Sequence, residues 1–291
     1  MESSDENSLK IAAFITLLFF FLEVAGGYYF NSLSLLGDAG HMLRDLASLF
    51  IALYAVRVCE RLPTKTRTFG FHRTEVLAAL ANGILLLLVS IFIFVEGIGR
   101  ISNPQPVGSA GMLAVAVVGL LANIYVALKL GNRKDINMRA AYLHVLTDAL
   151  SSVAVICTAI IIWFTGVMVV DAIVAFLIAL FILWSSVPLL REVLRILMQG
   201  APPEVDVDKL IAELEKVKSV KNIHNVHVWS MCSNVNILDC HVYVKSCEWK
   251  EMEKIKNELR KRAEKFDIRH TTFEFEAEEC SQPARHRRIT H

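Results

Sequence analysis

The chain has 291 residues, of which 54% are hydrophobic, and its mean hydropathy is +0.47, too apolar for an ordinary soluble domain. Its 30 basic and 29 acidic residues nearly balance, so the overall charge indicates no nucleic-acid partner. The charges are sparse in the first two-thirds and dense after about Pro202, which predicts a membrane domain followed by a polar one.

Six apolar stretches are long enough to cross a lipid bilayer, whose hydrocarbon core requires about 20 apolar residues. The predicted spans are Leu9–Phe30, Leu33–Val58, Thr74–Ile101, Gly108–Leu130, Met138–Thr165 and Val167–Leu190. The acidic segment Met1–Ser8 lacks the basic start of a secretory signal, so we expect the first stretch to remain as a span.

Basic residues predict the orientation of these spans, because cytoplasmic loops of membrane proteins carry an excess of Lys and Arg. The connections after spans two, four and six contain clusters of them, whereas the opposite side has only Arg100. We therefore expect both termini and the polar region to lie in the cytosol.

The polar region follows a predicted hinge at Gln199–Pro203 and has the element pattern α-β-β-α-β. The predicted elements are a helix at Val205–Val217, strands at Ile223–Met231 and Val235–Val244 joined by a turn at Ser233-Asn234, a helix at Trp249–Phe266 and a strand at Ile268–Phe275. So small a sheet leaves an edge, and we expect it to pair with a copy of itself.

The predicted fold is thus an all-α six-helix transmembrane domain at 1–200, a small cytosolic α+β domain for metal binding and dimerisation at 201–279, and a flexible basic tail at 280–291. The six cysteines show no C-x-x-C spacing, and we expect no disulfide framework. Cys232, Cys240 and Cys247 could bind soft metals, but no spacing supports this, so we expect them to be structural.

The pattern His-x-x-x-Asp occurs twice inside the predicted spans, as His41 with Asp45 and as His144 with Asp148. A spacing of four residues places both side chains on one helix face. Each ionisable group at membrane depth costs roughly 2.5–3.5 kcal/mol, which favours a functional role. Two imidazoles and two carboxylates would form a tetrahedral site suited to Zn²⁺.

The two pairs are also predicted to lie at the same depth. His41 and Asp45 fall roughly 12–18 Å from the outer end of span two, and His144 and Asp148 roughly 9–15 Å from the inner end of span five. The alternative interpretation is that these groups form interhelical hydrogen bonds that only hold the bundle together. Because a metal binds neutral imidazole, protons and Zn²⁺ would compete for the histidines, which suggests exchange of zinc for protons.

The chain resembles the cation diffusion facilitator family, in its zinc-transporter branch of prokaryotic zinc/cadmium/cobalt efflux type. The resembling segments are Leu22–Gly27, Ser32–Asp45, Phe69–Leu77, Asn137–Asp148, Leu189–Glu192, Met198–Pro202 and His224–Trp229. The resemblance implies a homodimeric, alternating-access Zn²⁺/H⁺ antiporter in the lipid bilayer, with a metallochaperone-like cytosolic domain. It also implies a preference for Zn²⁺ over Cd²⁺ from histidine at the position of His41.

The chain departs from the family pattern at two places. Arg44 stands where a small polar residue is usual, and the sequence leaves open whether it pairs with Glu23 or reaches the membrane surface. The connection between spans four and five lacks a His-rich stretch, which suggests a prokaryotic protein of the cell membrane.

Further metal ligands are implied by the same resemblance. His224, His241 and His270, one on each predicted strand, together with Glu276 match a regulatory zinc site at the cytosolic dimer interface. The alternative is ordinary surface histidines on a small sheet. His72, in the connection before span three, is a candidate interfacial ligand as in some relatives.

Zinc export has several alternatives. A broader exporter of Cd²⁺, Co²⁺ or Fe²⁺ and a membrane zinc sensor without transport both remain consistent with the residues. An intramembrane metalloprotease would need a motif such as H-E-x-x-H, which the sequence lacks, and no nucleotide-binding loop supports ATP-driven pumping. We therefore expect a transporter and not an enzyme.

Overall fold

The computed structural model describes residues 2–59, 61–130, 136–233, 235–244 and 249–277. Six long helices come first in the chain. They are α1 Glu2–Tyr29, α2 Leu33–Cys59, α3 Arg73–Ser102, α4 Ser109–Leu130, α5 Ile136–Thr165 and α6 Val169–Leu197. The predicted spans fall on these six helices, although α6 continues seven residues beyond its predicted end at Leu190.

Within the described residues, four helical stretches are long and apolar enough to cross a membrane: Arg73–Ser102, Ser109–Leu128, Val145–Thr165 and Val169–Leu197. An apolar stretch at Phe14–Tyr29 is shorter. Many large apolar side chains on these helices are exposed, such as Phe92 at 61% and Trp184 at 72%. A surface of this kind is stable against lipid and not against water, so the predicted helical membrane domain is confirmed.

The chain divides into two compact units. The first contains Met1–Leu53 and Ala81–Leu189, and the second contains Tyr54–Leu80 and Leu190–His291. The segment that links α2 to α3 thus belongs with the polar region, a grouping that the predicted boundary at residue 200 does not include. The predicted domain limits themselves stay a prediction.

Small residues allow α2 to pack closely against its neighbours in the first unit. A Cβ atom on Gly37 would lie 3.3 Å from the side chain of Ile178 on α6, and one on Gly40 would lie 3.1 Å from Val89 on α3. Close approach through glycine is typical of membrane helices, where dispersion contacts drive helix association. It places the face of α2 that carries His41 inside the helix bundle.

The second unit contains the predicted α-β-β-α-β domain. Its elements are α7 Val207–Leu214, β1 Val220–Cys232, β2 Val235–Val244, α8 Trp249–Glu264 and β3 Ile268–Glu276. The sheet has the order β1-β2-β3, with β1 and β2 antiparallel and β2 and β3 parallel. The predicted small α+β domain is confirmed. Asn234, part of the predicted turn, lies outside the described residues.

Helix α7 begins after an N-terminal cap at Asp206. The Asp206 carboxylate accepts a hydrogen bond from the backbone N–H of Lys209, which lowers the pKa of Asp206. Leu210, Ile211 and Leu214 then pack with the sheet and with Leu259 of α8 in one apolar core. This core supports the sheet that carries His224 and His241.

Candidate metal centres

Three of the four predicted transport ligands lie together in the first unit. The Nε2 atom of His41 is 3.8 Å from Oδ2 of Asp45 and 3.6 Å from Oδ1 of Asp148. One ligand atom from each residue lies within 4.8 Å of the other two. His144 is on α5, one helical turn before Asp148, and its side chain lies outside the described residues.

The cluster has the size and charge that a divalent cation requires. Zn–N and Zn–O bonds of about 2.0–2.2 Å place two ligand atoms of a tetrahedral site about 3.3–3.5 Å apart. The separations from His41 are only slightly longer. His41 and Asp148 are 8% and 5% exposed, and two carboxylates would balance the charge of the ion. A small movement of these helices would close the site around Zn²⁺.

A second layer of polar side chains surrounds this cluster. Asp38, one turn before His41 on α2, accepts a hydrogen bond from Ser151 on α5 and shares another with Glu23 on α1. The hydroxyl of Ser152 donates to the backbone oxygen of Asp148. Three helices therefore contribute polar groups to one buried region, as a polar path across the membrane domain would require.

The beginning of α2 is held by a side chain whose role the sequence did not reveal. Asp171 near the start of α6 is 1% exposed, and it accepts hydrogen bonds from the backbone N–H groups of Leu33 and Ser34 at 2.6 and 3.2 Å. It also accepts from the hydroxyls of Ser32 and Ser34. The two serines at the start of an apolar stretch were the available signal for a helix cap, but their partner is 137 or more residues away.

Arg44, whose contacts the sequence left open, has a partner on α6. Nη1 of Arg44 donates a hydrogen bond to the hydroxyl of Ser185 at 2.8 Å. Glu23 on α1 interacts with Asp38. The guanidinium thus contacts α6 at the level of the α2 turn that carries the candidate ligands His41 and Asp45.

Three of the four predicted cytosolic ligands also lie together, on the sheet of the second unit. Glu276 approaches both histidines: its Oε2 is 3.1 Å from Nε2 of His224, and its Oε1 is 2.7 Å from Nδ1 of His241. His224 and His241 are register partners on β1 and β2. Their imidazole and carboxylate atoms fall within 4.8 Å of one another, a suitable donor set for Zn²⁺.

An irregularity in β1 lies beside this cluster. The register with β2 shifts between His224 and His227, where Asn225 has a positive φ of 51°. Asparagine tolerates this left-handed backbone well, and such bulges commonly re-aim side chains beside functional sites. The Nδ2 of Asn225 lies 3.0 Å from Nε2 of His241, so the bulge also supplies a polar contact to the cluster.

The structure does not bring the remaining cytosolic candidates into this cluster. His270 is exposed near the start of β3, six residues before Glu276, and its ring stacks edge-on against Phe69 with centroids 5.7 Å apart. His72 lies just before α3, where its Nδ1 is 3.8 Å from Sγ of Cys232 at the end of β1.

Comparison with known proteins is consistent with both halves of this architecture. Residues 9–198 match the family model described as the cation efflux transmembrane domain, and residues 202–278 match that of the cation efflux protein cytoplasmic domain. A cadmium, cobalt and zinc/H(+)-K(+) antiporter of Bacillus subtilis is 38% identical over 282 residues, covering 95% of this chain and 91% of the relative.

Two further relatives match over nearly the whole chain. The metal cation efflux system protein CzcD of Cupriavidus metallidurans is 40% identical, with 96% of this chain and 89% of the relative covered. The zinc transporter ZitB of Shigella flexneri is 39% identical, with 98% and 92% covered.

Proposed function

Because the chain belongs to the cation efflux family, we propose that it is a secondary transporter that exports Zn²⁺ from the cytosol in exchange for protons. The observation that carries this proposal is the buried cluster of His41, Asp45 and Asp148 inside an apolar helix bundle. The relatives named as zinc transporters and as a cadmium, cobalt and zinc antiporter support the same substrate class.

The donor set accounts for both the cargo and the exchange. His41, Asp45 and Asp148, with His144 as the predicted fourth ligand, offer two imidazoles and two carboxylates. This set suits Zn²⁺ better than Mg²⁺ or Ca²⁺, which prefer oxygen ligands alone. Zn²⁺ must displace protons from these groups to bind, and protons must return for it to leave. A site that faces each side of the membrane in turn would therefore couple zinc efflux to proton entry.

A broader substrate range is a second candidate that the relatives favour. One of the relatives is named as a cadmium, cobalt and zinc antiporter, and another as a metal cation efflux system protein. Nitrogen and oxygen ligands of this kind also bind Cd²⁺ and Co²⁺. Zn²⁺ remains the proposed main cargo because half of the proposed ligands are imidazoles.

The remaining parts of the proposal concern assembly and location. The chain works as a homodimer through its cytosolic domain, a proposal supported by the match to a cytoplasmic domain family and by a sheet with two open edges. The cluster of His224, His241 and Glu276 binds a regulatory Zn²⁺ there, with His270 and His72 as further candidate ligands. We further propose that the protein lies in the cell membrane with both termini in the cytosol, an orientation that the basic connections favour.

Metal flux into proteoliposomes tests the transport proposal. Purified protein is reconstituted with a pH gradient, and uptake of Zn²⁺, Cd²⁺, Co²⁺ and Mn²⁺ is followed together with the internal pH. We expect Zn²⁺ uptake that consumes the proton gradient and that falls to background in Asp148→Ala. Glu96→Gln is the matched control, because this carboxylate on α3 pairs with Arg100 and not with the cluster.

The possible outcomes separate the candidate functions. Full Zn²⁺ flux in Asp148→Ala would contradict the assignment of the site. Tight Zn²⁺ binding without flux under any gradient would show a zinc sensor instead of a transporter. Equal rates for Zn²⁺, Cd²⁺ and Co²⁺ would establish the broader exporter.

A further inference from the structure

A cavity in the second unit combines positive charge with aromatic and hydroxyl side chains. Its volume is about 460 Å³, and the residues that line it include Arg67 and Arg73, Thr68, and Trp229 on β1. Among the described residues that line it, none is acidic. We propose that this cavity binds the phosphate of an anionic phospholipid headgroup.

The two arginines of the cavity have donors to spare. Within the part of the chain that the structure describes, neither Arg67 nor Arg73 forms an ion pair with a carboxylate. Glu75, the acidic residue in the first turn of α3, accepts a hydrogen bond of 2.6 Å from Ser233 instead. A guanidinium presents several N–H donors in one plane, an arrangement that matches two oxygens of a phosphate. The cavity therefore offers both the charge and the donors that a phosphate requires.

The connection before α3 holds Arg67 in place before any ligand binds. Thr64 and Arg67 exchange two backbone hydrogen bonds of 3.1 Å, and Gly70, with a positive φ of 73°, donates to the backbone oxygen of Arg67 at 2.9 Å. The guanidinium carbon of Arg67 lies 4.6 Å from the centre of the Phe71 ring, a cation–π contact. Because these contacts already limit the conformations of Arg67, less conformational entropy is lost when a ligand binds.

The position of the cavity in the chain favours a lipid as the source of the phosphate. Arg73 is the first residue of α3, and Gln199, which also lines the cavity, follows the last residue of α6 by two positions. Both helices are long and apolar enough to cross a membrane. The ends of two membrane spans therefore border the cavity, and span ends lie at the depth of lipid headgroups.

Apolar side chains beside the charges also favour a lipid over free phosphate. Phe69 and Leu77 line the cavity, and they are 52% and 53% exposed. Acyl chains attached to the phosphate would cover this apolar surface, whereas inorganic phosphate would leave it in water. Tryptophan, here Trp229, is typical of the boundary between headgroups and water. Basic pockets at the cytoplasmic ends of membrane helices bind acidic headgroups in this way.

Native mass spectrometry of the full-length protein, released from detergent after titration with phosphatidylglycerol, tests the proposal by counting bound lipids. We expect one tightly bound phosphatidylglycerol per protomer and weaker binding of zwitterionic phosphatidylcholine. In the double variant Arg67→Gln/Arg73→Gln, the affinity for phosphatidylglycerol should fall at least about ten-fold, because each basic residue near an anionic lipid contributes about five-fold.

The double variant Arg61→Gln/Lys65→Gln is the matched control. It removes the same charge from the same connection, but both side chains are exposed and neither lines the cavity. We expect the control to change the affinity less than two-fold. An equal loss in both double variants would overturn the proposal, since it would show general attraction of a basic segment to anionic lipid.

Two further measurements can also contradict the proposal. Arg67→Lys/Arg73→Lys keeps the charge, so it should lose less affinity than the glutamine variant. An equal loss would show that the substitutions disturb the cavity instead of removing its charge. Inorganic phosphate should not displace the lipid at millimolar concentration, and displacement would overturn the lipid assignment in favour of free phosphate. Lipid binding is measured without Zn²⁺, so its outcome is independent of the transport proposal and of the cluster of Asp148.

Discussion

The contact between Asp171 and the start of α2 yields the most direct test of how the membrane helices are held. The carboxylate accepts four hydrogen bonds, two from the backbone N–H groups of Leu33 and Ser34 and two from serine hydroxyls. The first N–H groups of a helix have no partner within the helix, so they need an acceptor from elsewhere. In this buried position Asp171 is that acceptor.

The decrease in the free energy of unfolding that we expect in Asp171→Ala follows from these contacts. A buried donor left without an acceptor costs about 1–3 kcal/mol, and two backbone donors lose theirs here. The serine hydroxyls can rotate toward other acceptors, so their contribution is smaller. The total is about 3–5 kcal/mol, which for a chain of this size lowers the unfolding temperature by on the order of 10 °C. Asp171→Asn keeps one acceptor oxygen, so we expect about half of that loss.

Thermal unfolding of the purified variants in detergent, followed by size-exclusion chromatography after heating, measures the effect. Thr165→Ala is the control, because the hydroxyl of Thr165 is exposed and its two hydrogen bonds, to the backbone oxygen of Ile161 and from the backbone N–H of Val167, join residues close in sequence. We expect this control to unfold within about 2 °C of the unmodified protein. The same small change in Asp171→Ala would refute the reasoning that this carboxylate caps α2.

Two further predictions follow from the structure. In His41→Asp, an oxygen ligand replaces nitrogen, so the ratio of Cd²⁺ to Zn²⁺ flux should rise several-fold; an unchanged ratio would contradict the role of His41 in selectivity. Hydrogen bonds from Lys216 and Lys265 lower the pKa of Glu213 from 4.5 to about 2. Its stabilising effect is therefore complete above pH 4.5 and is lost as the pH falls through 2. Between these pH values, the unfolding temperature of Glu213→Gln should depend less on pH than that of the unmodified protein. The same pH dependence in both proteins would contradict this prediction.

The candidate transport site could be predicted well because its signal is local. His41 and Asp45 lie one helical turn apart, and so do His144 and Asp148, in stretches where apolar residues dominate. Charged groups are costly at membrane depth, and this cost makes such pairs conspicuous. Three of these side chains do meet in the structure.

The cytosolic cluster was predicted less completely. His224, His241 and Glu276 meet, but His270 lies toward the other end of β3, against Phe69. The register between parallel strands decides which residues become neighbours, and β3 pairs Glu274 with His241 but His270 with Ile237. A sequence pattern predicts which face of a strand a residue occupies. It predicts less well which residue of the neighbouring strand lies opposite it.

The sequence by itself determined the apolar helices, the α-β-β-α-β order of the polar region and the two His-x-x-x-Asp pairs, because each depends on residues close together in the chain. The tertiary structure decided the contacts between distant residues. Asp171 caps α2, Arg44 bonds to Ser185, and His72 meets Cys232 across 160 positions of sequence. Such contacts depend on how helices and strands pack, and the local periodicity of the sequence does not predict them.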